Sequence, residues 1–239
     1  MGLERNEGRD DLAPVLEEGI PKFPSHPALE IDKTFVYERD GFFSQTIKIG
    51  EHVGTHVDAP AHMQPLMMED TIEKVPAGYL IAPAVVYDIA SLNLKAGEKA
   101  TLEDILLLEK RMNTAVGEGE IALIHYGWGK YWEIGEKGKF YSLNEPGLEE
   151  AAVKLFAERK VRAVGSDTVG CESPIKDGVF LDSGHGHDTY WLKNHILIME
   201  ILMNLDKLPP RCYFLALPLK IKNGSGSPIR PIALVPKKG

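Results

Sequence analysis

The residues best suited to chemistry lie in one short stretch, HVGTHVDAPAH, between residues 52 and 62. It contains three of the chain's eight histidines, His52, His56 and His62, together with the carboxylate of Asp58. In an extended strand alternate residues share a face, so His52, His56 and Asp58 would point to one side. Two imidazoles and one carboxylate are the ligand set expected of a catalytic zinc or similar divalent metal, with positions open for water and substrate. The stretch therefore predicts a metal site.

Closely spaced histidines also occur in helical zinc motifs and in purely structural clusters. A helical HExxH zinc motif is disfavoured, because Val follows His52 and both Gly54 and Pro60 oppose a helix. Pro60 also ends the strand, so we expect His62 near the site but off the shared face. A structural cluster of hydrogen-bonded histidines stays open as an alternative.

Two other kinds of metal site would use part of the same residues. In a mononuclear iron oxygenase, His56 and Asp58 would combine with a distant histidine, either His125 or His187. That interpretation leaves the other histidines of the stretch unexplained, and His125 is more simply a hydrogen-bonded residue at a strand end. A non-catalytic, metal-stabilised binding module would instead need a closed site with four protein ligands.

Length and composition limit the classes of protein to which the chain can belong. Its 239 residues can bury a full core, and we expect one domain. The net charge of -8 argues against nucleic acid and anionic membranes as partners, because phosphate binding needs a basic surface. There are two cysteines, and neither a signal peptide nor an apolar run long enough for a membrane span is visible. We therefore expect a cytoplasmic protein.

The segments before the metal stretch are predicted to be mostly irregular or extended. Residues 1–10 are rich in charge and glycine, which predicts a mobile tail. Four prolines between Pro14 and Pro27 predict an extended surface loop, because proline removes backbone donors. A hairpin is predicted to turn at residues 39–41, immediately before the metal stretch.

The middle and end of the chain alternate apolar strands with amphipathic helices. We expect a strand interrupted at Pro83 in YLIAPAVVYDIA, and buried strands in IALIHYGW and VRAVGSDT. Helices are predicted in TLEDILLLEKRM, capped by Thr101 with Asp104 three residues later, and after Pro146 in NEPGLEEAAVKLFAERK. The last segment, from CYFLALP to the end, predicts two strands around a Gly/Ser loop. This order predicts a mixed α/β domain with a largely buried sheet.

A second group of ligand-type residues lies in SGHGHDTYWLKNHILIMEIL. A single helix would separate His187 from Glu200 by about 20 Å, at 1.5 Å per residue. A short helix over residues 189–193, a turn and a returning strand would bring them together, and the isoleucines favour the strand. Glu200 would then lie on an apolar face and need a partner, either a metal or an arginine such as Arg211 or Arg230.

The stretch HVGTHVDAPAH resembles the HxGTHxDxPxH signature of the cyclase family of metal-dependent hydrolases, whose best-known members are bacterial kynurenine formamidases, with isatin hydrolases as relatives. The resemblance implies that His52 and His56 bind a metal. It also implies that Asp58 binds this metal and can bridge to a second one, and that His62 is the catalytic acid/base.

Outside the signature, the resemblance implies further site residues. In the family, a histidine twelve residues before a glutamate binds the second metal together with that glutamate. Glu200 matches the glutamate, but the residue twelve positions earlier is Asp188, with His187 one step before it. We favour His187 as the ligand, while Asp188 and a site with a single metal stay open. On the proline-rich loop, Phe23 corresponds to an aromatic residue that lines the substrate pocket.

The resemblance also implies a fold and an activity. The fold is a single compact α/β domain over residues 1–239, with a central mixed, partly barrel-like β-sheet flanked by helices, of the swivelling β/β/α type. The activity is metal-dependent hydrolysis of a formamide or cyclic amide of an aromatic compound, most like an arylformamidase that hydrolyses N-formylkynurenine in tryptophan catabolism. The expected cofactor is Zn²⁺, or else Mn²⁺, with one or two ions per chain. Trp128 could stack on the substrate, and a homodimer or higher homo-oligomer is expected.

Overall fold

The computed structural model describes residues 9–182 and 184–235 of the chain. The strands, numbered in chain order, are β1 (Arg9–Asp11), β2 (Glu30–Phe35), β3 (Ser44–Lys48), β4 (His56–Asp58), β5 (Ile81–Asp88), β6 (Lys99–Ala100), β7 (Ile121–His125), β8 (Gly147–Leu148), β9 (Ala163–Ser166), β10 (Ile175–Lys176), β11 (Val179–Phe180), β12 (Leu197–Glu200), β13 (Arg211–Leu215), β14 (Gly226–Pro228) and β15 (Ile232–Leu234). The α-helices are α1 (Tyr37–Asp40), α2 (Leu102–Met112), α3 (Glu136–Leu143) and α4 (Glu150–Glu158). Single turns of 3-10 helix occupy Pro60–His62, Pro65–Met67, Ile72–Lys74, Ile89–Leu92, Trp128–Tyr131, Leu192–Asn194 and Leu205–Lys207, and a π-helical turn spans His185–Tyr190.

Among the described residues, nine strands form one mixed sheet in the order β1-β15-β13-β5-β7-β9-β12-β4-β14. Its centre is parallel, because β5, β7, β9 and β12 run in the same direction. Antiparallel strands complete both sides, with β13 next to β5 and β4 next to β12. The sheet curls into a partial barrel with helices packed against it, which confirms the predicted compact α/β fold.

The strands of the sheet bury side chains in two apolar layers, one on each face. In β5, Val85 and Tyr87 contribute to the layer that also contains buried residues of α2 and α4. Their neighbours Ala84 and Val86 belong to the other layer, with Phe214 of β13. This alternation follows from the period of two residues along a strand. A sheet that is buried on both faces holds its strand ends in fixed positions, where side chains of the site can be anchored.

Two local predictions are confirmed in detail. The hairpin forms between β2 and β3, and the short helix α1 and Gly41, with a φ of 76°, make the turn. Helix α2 begins with a complete capping box, in which Thr101 accepts from the backbone of Asp104 and the Asp104 side chain accepts from the backbone of Thr101. Both features depend on contacts within a few residues, which local sequence encodes directly.

Three predicted boundaries are wrong. The strand β5 runs through Pro83 without interruption. Its pairing with β7 begins only at Ala84, so the missing N–H group of Pro83 removes no hydrogen bond between these two strands. The helix after Pro146 begins later, at Glu150, because β8 first pairs with β6. The end of the chain contributes three strands rather than two, since β14 pairs with β4 while β15 pairs with β13.

The predicted mobile tail is also too long. Arg9 and Asp10 belong to β1 and pair with Leu234 and Ala233 of β15. The rest of the predicted tail, residues 1–8, lies outside the described residues. In the described part of the chain, no helix is both long and apolar enough to cross a membrane. Both cysteines lie within the described residues, where they are buried and form no disulfide.

Candidate metal centre

Two neighbouring antiparallel strands carry three of the predicted ligands. Strand β4 pairs with β12 in a register that sets His56 directly opposite Glu200, and Asp58 opposite Ile198. Because side chains alternate along a strand, His56 and Asp58 share the face to which Glu200 also points. All three side chains are buried. The predicted strand geometry is therefore confirmed for these three residues.

His52 reaches the site by a route that the sequence did not predict. It lies in a turn before β4, and the φ of Gly54 is 69°, in the left-handed region, so the predicted continuous strand from residue 52 is wrong. The turn still brings the ring back, because Nδ1 of His52 lies 2.6 Å from Oδ1 of Asp58. The other ring nitrogen, Nε2, lies 2.8 Å from Oγ of Ser225. The predicted convergence of side chains is observed, although the backbone conformation differs.

His52, His56 and Asp58 form a first cluster, in which one ligand atom of each lies within 4.8 Å of the others. Nε2 of His56 is 3.5 Å from Oδ1 of Asp58 and 3.3 Å from Oε2 of Glu200. Nδ1 of His56 lies 2.8 Å from the carbonyl oxygen of Gly54, which can only accept a hydrogen bond. Nδ1 therefore carries the proton, and in the neutral ring Nε2 keeps its lone pair for a ligand in the cluster.

Asp58, His187 and Glu200 form a second cluster that shares Asp58 with the first. Nε2 of His187 is 3.5 Å from Oδ2 of Asp58 and 3.5 Å from Oε1 of Glu200. His187 lies in the π-helical turn His185–Tyr190, which starts earlier than the predicted helix. Of the two residues that the sequence left open, His187 joins the cluster, whereas Asp188 is exposed on the wall of an adjacent cavity.

The spacing of these atoms fits a bound metal. In a tetrahedral site with bonds of about 2.0–2.1 Å, adjacent ligand atoms are about 3.3–3.4 Å apart. The nitrogen to oxygen distances of His56 and His187 are 3.3 to 3.5 Å, whereas Nδ1 of His52 makes a shorter hydrogen bond of 2.6 Å to Asp58. Oδ2 of Asp58 is buried and has no hydrogen-bond partner within the described residues. A buried carboxylate oxygen without a donor calls for a cation, so the residues of both clusters fit a divalent metal.

The charges of the clusters support the same conclusion. Burial would raise the pKa of Asp58, but the charge of His52, the contact with His187 and the hydrogen bond from His52 hold it well below its usual range. Burial would likewise raise the pKa of Glu200, which its close contacts with His187 and His56 lower. Burial would lower the pKa of His56, yet Glu200 and Asp58 raise it to about 9. Positive charge thus balances the two carboxylates, from protonated histidines in the metal-free protein and from the ion itself when a divalent metal is bound.

His62 lies beside the clusters without belonging to either of them. It ends the 3-10 turn Pro60–His62, and its ring centroid is 3.9 Å from that of His52 and 6.3 Å from that of His187. Burial lowers the pKa of His62 to about 4, although the charge of Asp58 opposes this effect. The imidazole is therefore neutral near pH 7 and lines the cavity in front of the clusters.

A cavity of about 480 Å³ opens onto the two clusters. Its polar side includes His62, His187 and Glu200, and its apolar side includes Phe23 and Phe180, whose ring centroids are 5.8 Å apart. Phe23 thus lies where the family resemblance implied. A site that opens onto a cavity of this size disfavours the closed, non-catalytic alternative. A larger cleft of about 730 Å³, next to α4, has none of the candidate ligands among its lining residues.

Two residues considered from the sequence lie away from the clusters. Nδ1 of His125 is 2.9 Å from Oδ1 of Asp88, and His125 lines a different cavity. The interpretation of His125 as a hydrogen-bonded residue at a strand end is confirmed, and it does not complete an oxygenase triad. Trp128 is buried and donates its indole N–H to the carbonyl oxygen of Asn144. The expectation that Trp128 stacks on a substrate is therefore wrong, because its ring is packed in the core.

Neither arginine considered as a partner of Glu200 reaches it. Arg211 pairs with Glu120, and Arg230 pairs with Asp11. The nearest positively charged or chargeable groups to Glu200 are the two histidines of the clusters. The structure therefore supports the metal interpretation of Glu200 over the arginine alternative.

Three site contacts were not found from the sequence. Glu172 contacts the ring and backbone of His187, Ser225 contacts His52, and Phe180 faces the cavity beside Phe23. Each contact joins segments far apart in the chain, so no local spacing could have revealed it. The only sequence signal was weak: Glu172 follows closely on the strand end at β9, where sites in α/β proteins are often built.

Comparison with known proteins gives a family and several relatives. The chain matches the family model described as putative cyclase over residues 11–173. It is 29% identical to isatin hydrolase of Roseibium aggregatum over 221 residues, which cover 88% of this chain and 82% of the relative. It is 30% identical to an uncharacterised protein of Methanocaldococcus jannaschii over 221 residues, covering 89% and 92% of the two chains.

The fold is similar to that of solved structures over nearly its whole length. A crystal structure of an isatin hydrolase bound to the product analogue thioisatinate superimposes with a TM-score of 0.84 at 29% identity, covering 96% of this chain and 92% of the other. Isatin hydrolase A of Ralstonia solanacearum superimposes with a TM-score of 0.83 at 28% identity, covering 95% and 92%. The similarity extends past residue 173, and so includes the segment that carries the second cluster.

Proposed function

Because the chain belongs to the putative cyclase family, we propose that it is a metal-dependent hydrolase of carbon–nitrogen bonds in amides, acting on a formamide or cyclic amide of an aromatic compound. The observation that carries the proposal is the pair of ligand clusters that share Asp58 at the end of an aromatic-walled cavity. A buried, anionic group of ligands beside a cavity that can admit a substrate is the arrangement expected of a catalytic metal site.

The residues of the two clusters would hold one metal each. His52, His56 and Asp58 would hold the first, and Asp58, His187 and Glu200 the second. Nitrogen and carboxylate ligands suit Zn²⁺, which we favour, and are also compatible with Mn²⁺. A bound divalent metal would lower the pKa of a water molecule from 15.7 towards about 7 and polarise a substrate carbonyl.

His62 is the residue that we assign to proton transfer. It faces the cavity next to the clusters but contributes no ligand atom to them, so its imidazole is available for a substrate. The neutral ring can accept a proton during attack on the amide and then hold it at one ring nitrogen until the leaving nitrogen takes it. Without such a donor, an amine leaving group would depart as an unstable anion.

The walls of the cavity support an aromatic substrate. Phe23 and Phe180 provide two adjacent rings, and Met63 adds an adaptable apolar side chain. A cavity of about 480 Å³ lies within the range that encloses a small organic molecule. Isatin is a cyclic amide fused to a benzene ring, and N-formylkynurenine is a formamide on such a ring. Both have the required chemistry, and we propose an arylformamidase-like activity as the first to test.

The proposal can be tested on protein purified without chelator. We expect hydrolysis of N-formylkynurenine, isatin or both, loss of this activity after treatment with a chelator, and its return when Zn²⁺ or Mn²⁺ is added. Asp58→Ala should lose bound metal by elemental mass spectrometry and should not recover activity. Hydrolysis that survives complete removal of metal would refute the proposal, as would metal-loaded protein that cleaves no aromatic amide.

A further inference from the structure

Glu172 is a buried carboxylate that the proposed chemistry does not use. It lies in the loop after β9 and is 2% exposed. One of its oxygens, Oε1, accepts hydrogen bonds from the backbone N–H of Gly186 at 2.9 Å and of His187 at 3.1 Å. The same oxygen lies 2.9 Å from Nδ1 of the His187 ring. Three contacts on one oxygen all lead to the turn that carries His187.

The other oxygen of Glu172 has no such support. Oε2 is buried and has no hydrogen-bond partner in the part of the chain that the structure describes. Burial of a carboxylate is strongly unfavourable unless it is paired and hydrogen-bonded. The favourable interactions of Glu172 therefore come almost entirely from the turn His185–Tyr190.

The backbone on both sides is adapted to this contact. A Cβ atom on Gly186 would lie 2.3 Å from a ring carbon of Trp191 and 2.7 Å from the carboxyl carbon of Glu172, so only glycine lets the backbone approach the acid. Next to Glu172, the buried Cys171 has a φ of 50°, which is unfavourable for a residue with a side chain. The turn of His187 is itself a π-helical turn, a form that occurs often at functional sites.

The geometry of the His187 ring shows what the contact achieves. Nδ1 faces the carboxylate of Glu172 and donates a hydrogen bond to it through its N–H group. Nε2 is then the nitrogen that can offer a lone pair, and it is the atom that faces Asp58 and Glu200. Rotation of the ring by half a turn would put the carbons Cδ2 and Cε1 where Nδ1 and Nε2 now lie, and the hydrogen bond to Glu172 opposes this rotation.

We propose that Glu172 is a positioning residue for the second metal, which fixes the tautomer and orientation of His187. This inference rests on the proposed function, since it assumes that Asp58, His187 and Glu200 hold a metal. Carboxylates that receive the free N–H of a metal-binding histidine typically contribute about 10- to 100-fold to metal affinity. The Glu172 contact would act on the second metal and leave the first unchanged, because His52 and His56 have other partners.

The test is a titration of metal-free protein with Zn²⁺, followed by calorimetry and by competition with a chromophoric chelator. Wild type is expected to bind two ions per chain. Glu172→Ala should bind the first with unchanged affinity and the second about 10- to 100-fold more weakly. Glu172→Gln keeps the shape and one accepting oxygen but loses the charge, so it should recover part of the lost affinity.

A matched control separates positioning from general loss of stability. Glu109 is also a buried carboxylate, and it pairs with Arg159 and Tyr87 away from the clusters. Glu109→Gln should lower the melting temperature without changing either binding step. If Glu172→Ala fails to fold, the comparison of Glu172→Gln with Glu109→Gln at matched loss of stability decides the question.

The outcomes separate this inference from the proposed function. Two ions bound to Glu172→Ala or Glu172→Gln with wild-type affinities would overturn the inference alone. A loss of affinity equal to that of Glu109→Gln would assign Glu172 a structural role only, which also overturns it. A wild-type protein that binds no metal would overturn the proposed function, and the inference would fall with it.

Discussion

Replacement of His62 by alanine is the change that best separates metal binding from proton transfer. The His62 ring stands 3.9 Å from that of His52 but contributes no ligand atom to either cluster, so His62→Ala should retain bound metal. The loss should appear in kcat, at about 10²- to 10⁴-fold, the usual contribution of a general acid or base. At 1.36 kcal/mol for each factor of ten, this is about 2.7 to 5.4 kcal/mol of transition-state stabilisation.

Three measurements on the same protein would test this prediction. Elemental mass spectrometry should find the wild-type metal content in His62→Ala, and the substrate affinity should change little compared with kcat. His125→Ala is the matched control, because His125 is likewise partly buried at the end of a short element but lines a different cavity. It should keep both metal and turnover. Loss of metal from His62→Ala would refute the reasoning, since His62 would then be a ligand, and so would a kcat within about threefold of wild type.

Four further changes have expected results that follow from the structure. Glu200→Ala should reduce the metal content from about two ions per chain to about one by elemental mass spectrometry, and an unchanged content would make Glu200 structural. Phe180→Ala should raise KM for aromatic amides about 2- to 10-fold, which is the contribution of one ring contact. Val179→Ala is the control and should leave KM unchanged. An equal increase of KM in both variants would exclude ring stacking by Phe180. No Lys or Arg occurs among the described residues that line the cavity, so no such cation would bind the carboxylate of 2-formamidobenzoate. The neutral formanilide should therefore have a kcat/KM about tenfold higher than 2-formamidobenzoate. The reverse order of the two substrates would contradict this prediction. Glu109→Ala should lower the free energy of unfolding by about 2 to 3 kcal/mol in urea titrations, because it leaves the partly exposed Arg159 unpaired. A change below about 0.5 kcal/mol would show that the pair of Glu109 and Arg159 contributes little to stability.

The parts of the fold that could be predicted are those encoded by neighbouring residues. Capping of α2 depends on Thr101 and Asp104, three positions apart, and the hairpin β2–β3 depends on the turn at Gly41. Prediction failed where pairing with a distant strand decides the outcome. Pro83 stays inside β5 because of where β7 starts, and Arg9 joins the sheet because β15 lies beside it. Such pairings are properties of the whole sheet and leave no mark on the local sequence.

The candidate site divides in the same way. The types of residue in the first cluster were predictable, because three ligand-type side chains occur within seven positions, from His52 to Asp58. Their backbone conformation was not predictable, since Gly54 adopts a φ of 69° that separates His52 from the strand of His56 and Asp58. The choice between His187 and Asp188 was also undetermined from the sequence. It depends on the π-helical turn His185–Tyr190, which changes the directions in which successive side chains point relative to an α-helix.

The same turn explains why spacing alone misassigns the second cluster. A fixed interval before Glu200 selects Asp188, provided that the intervening chain keeps regular geometry. The π-helical turn His185–Tyr190 inserts extra chain at this point, and the backbone N–H groups that it directs inward bond to Glu172. Glu172 thus stabilises the irregular turn and orients the His187 ring with a single oxygen. The carboxylate of Glu172 thus contacts the same ring that faces Asp58 and Glu200, one residue before the position that regular spacing selects.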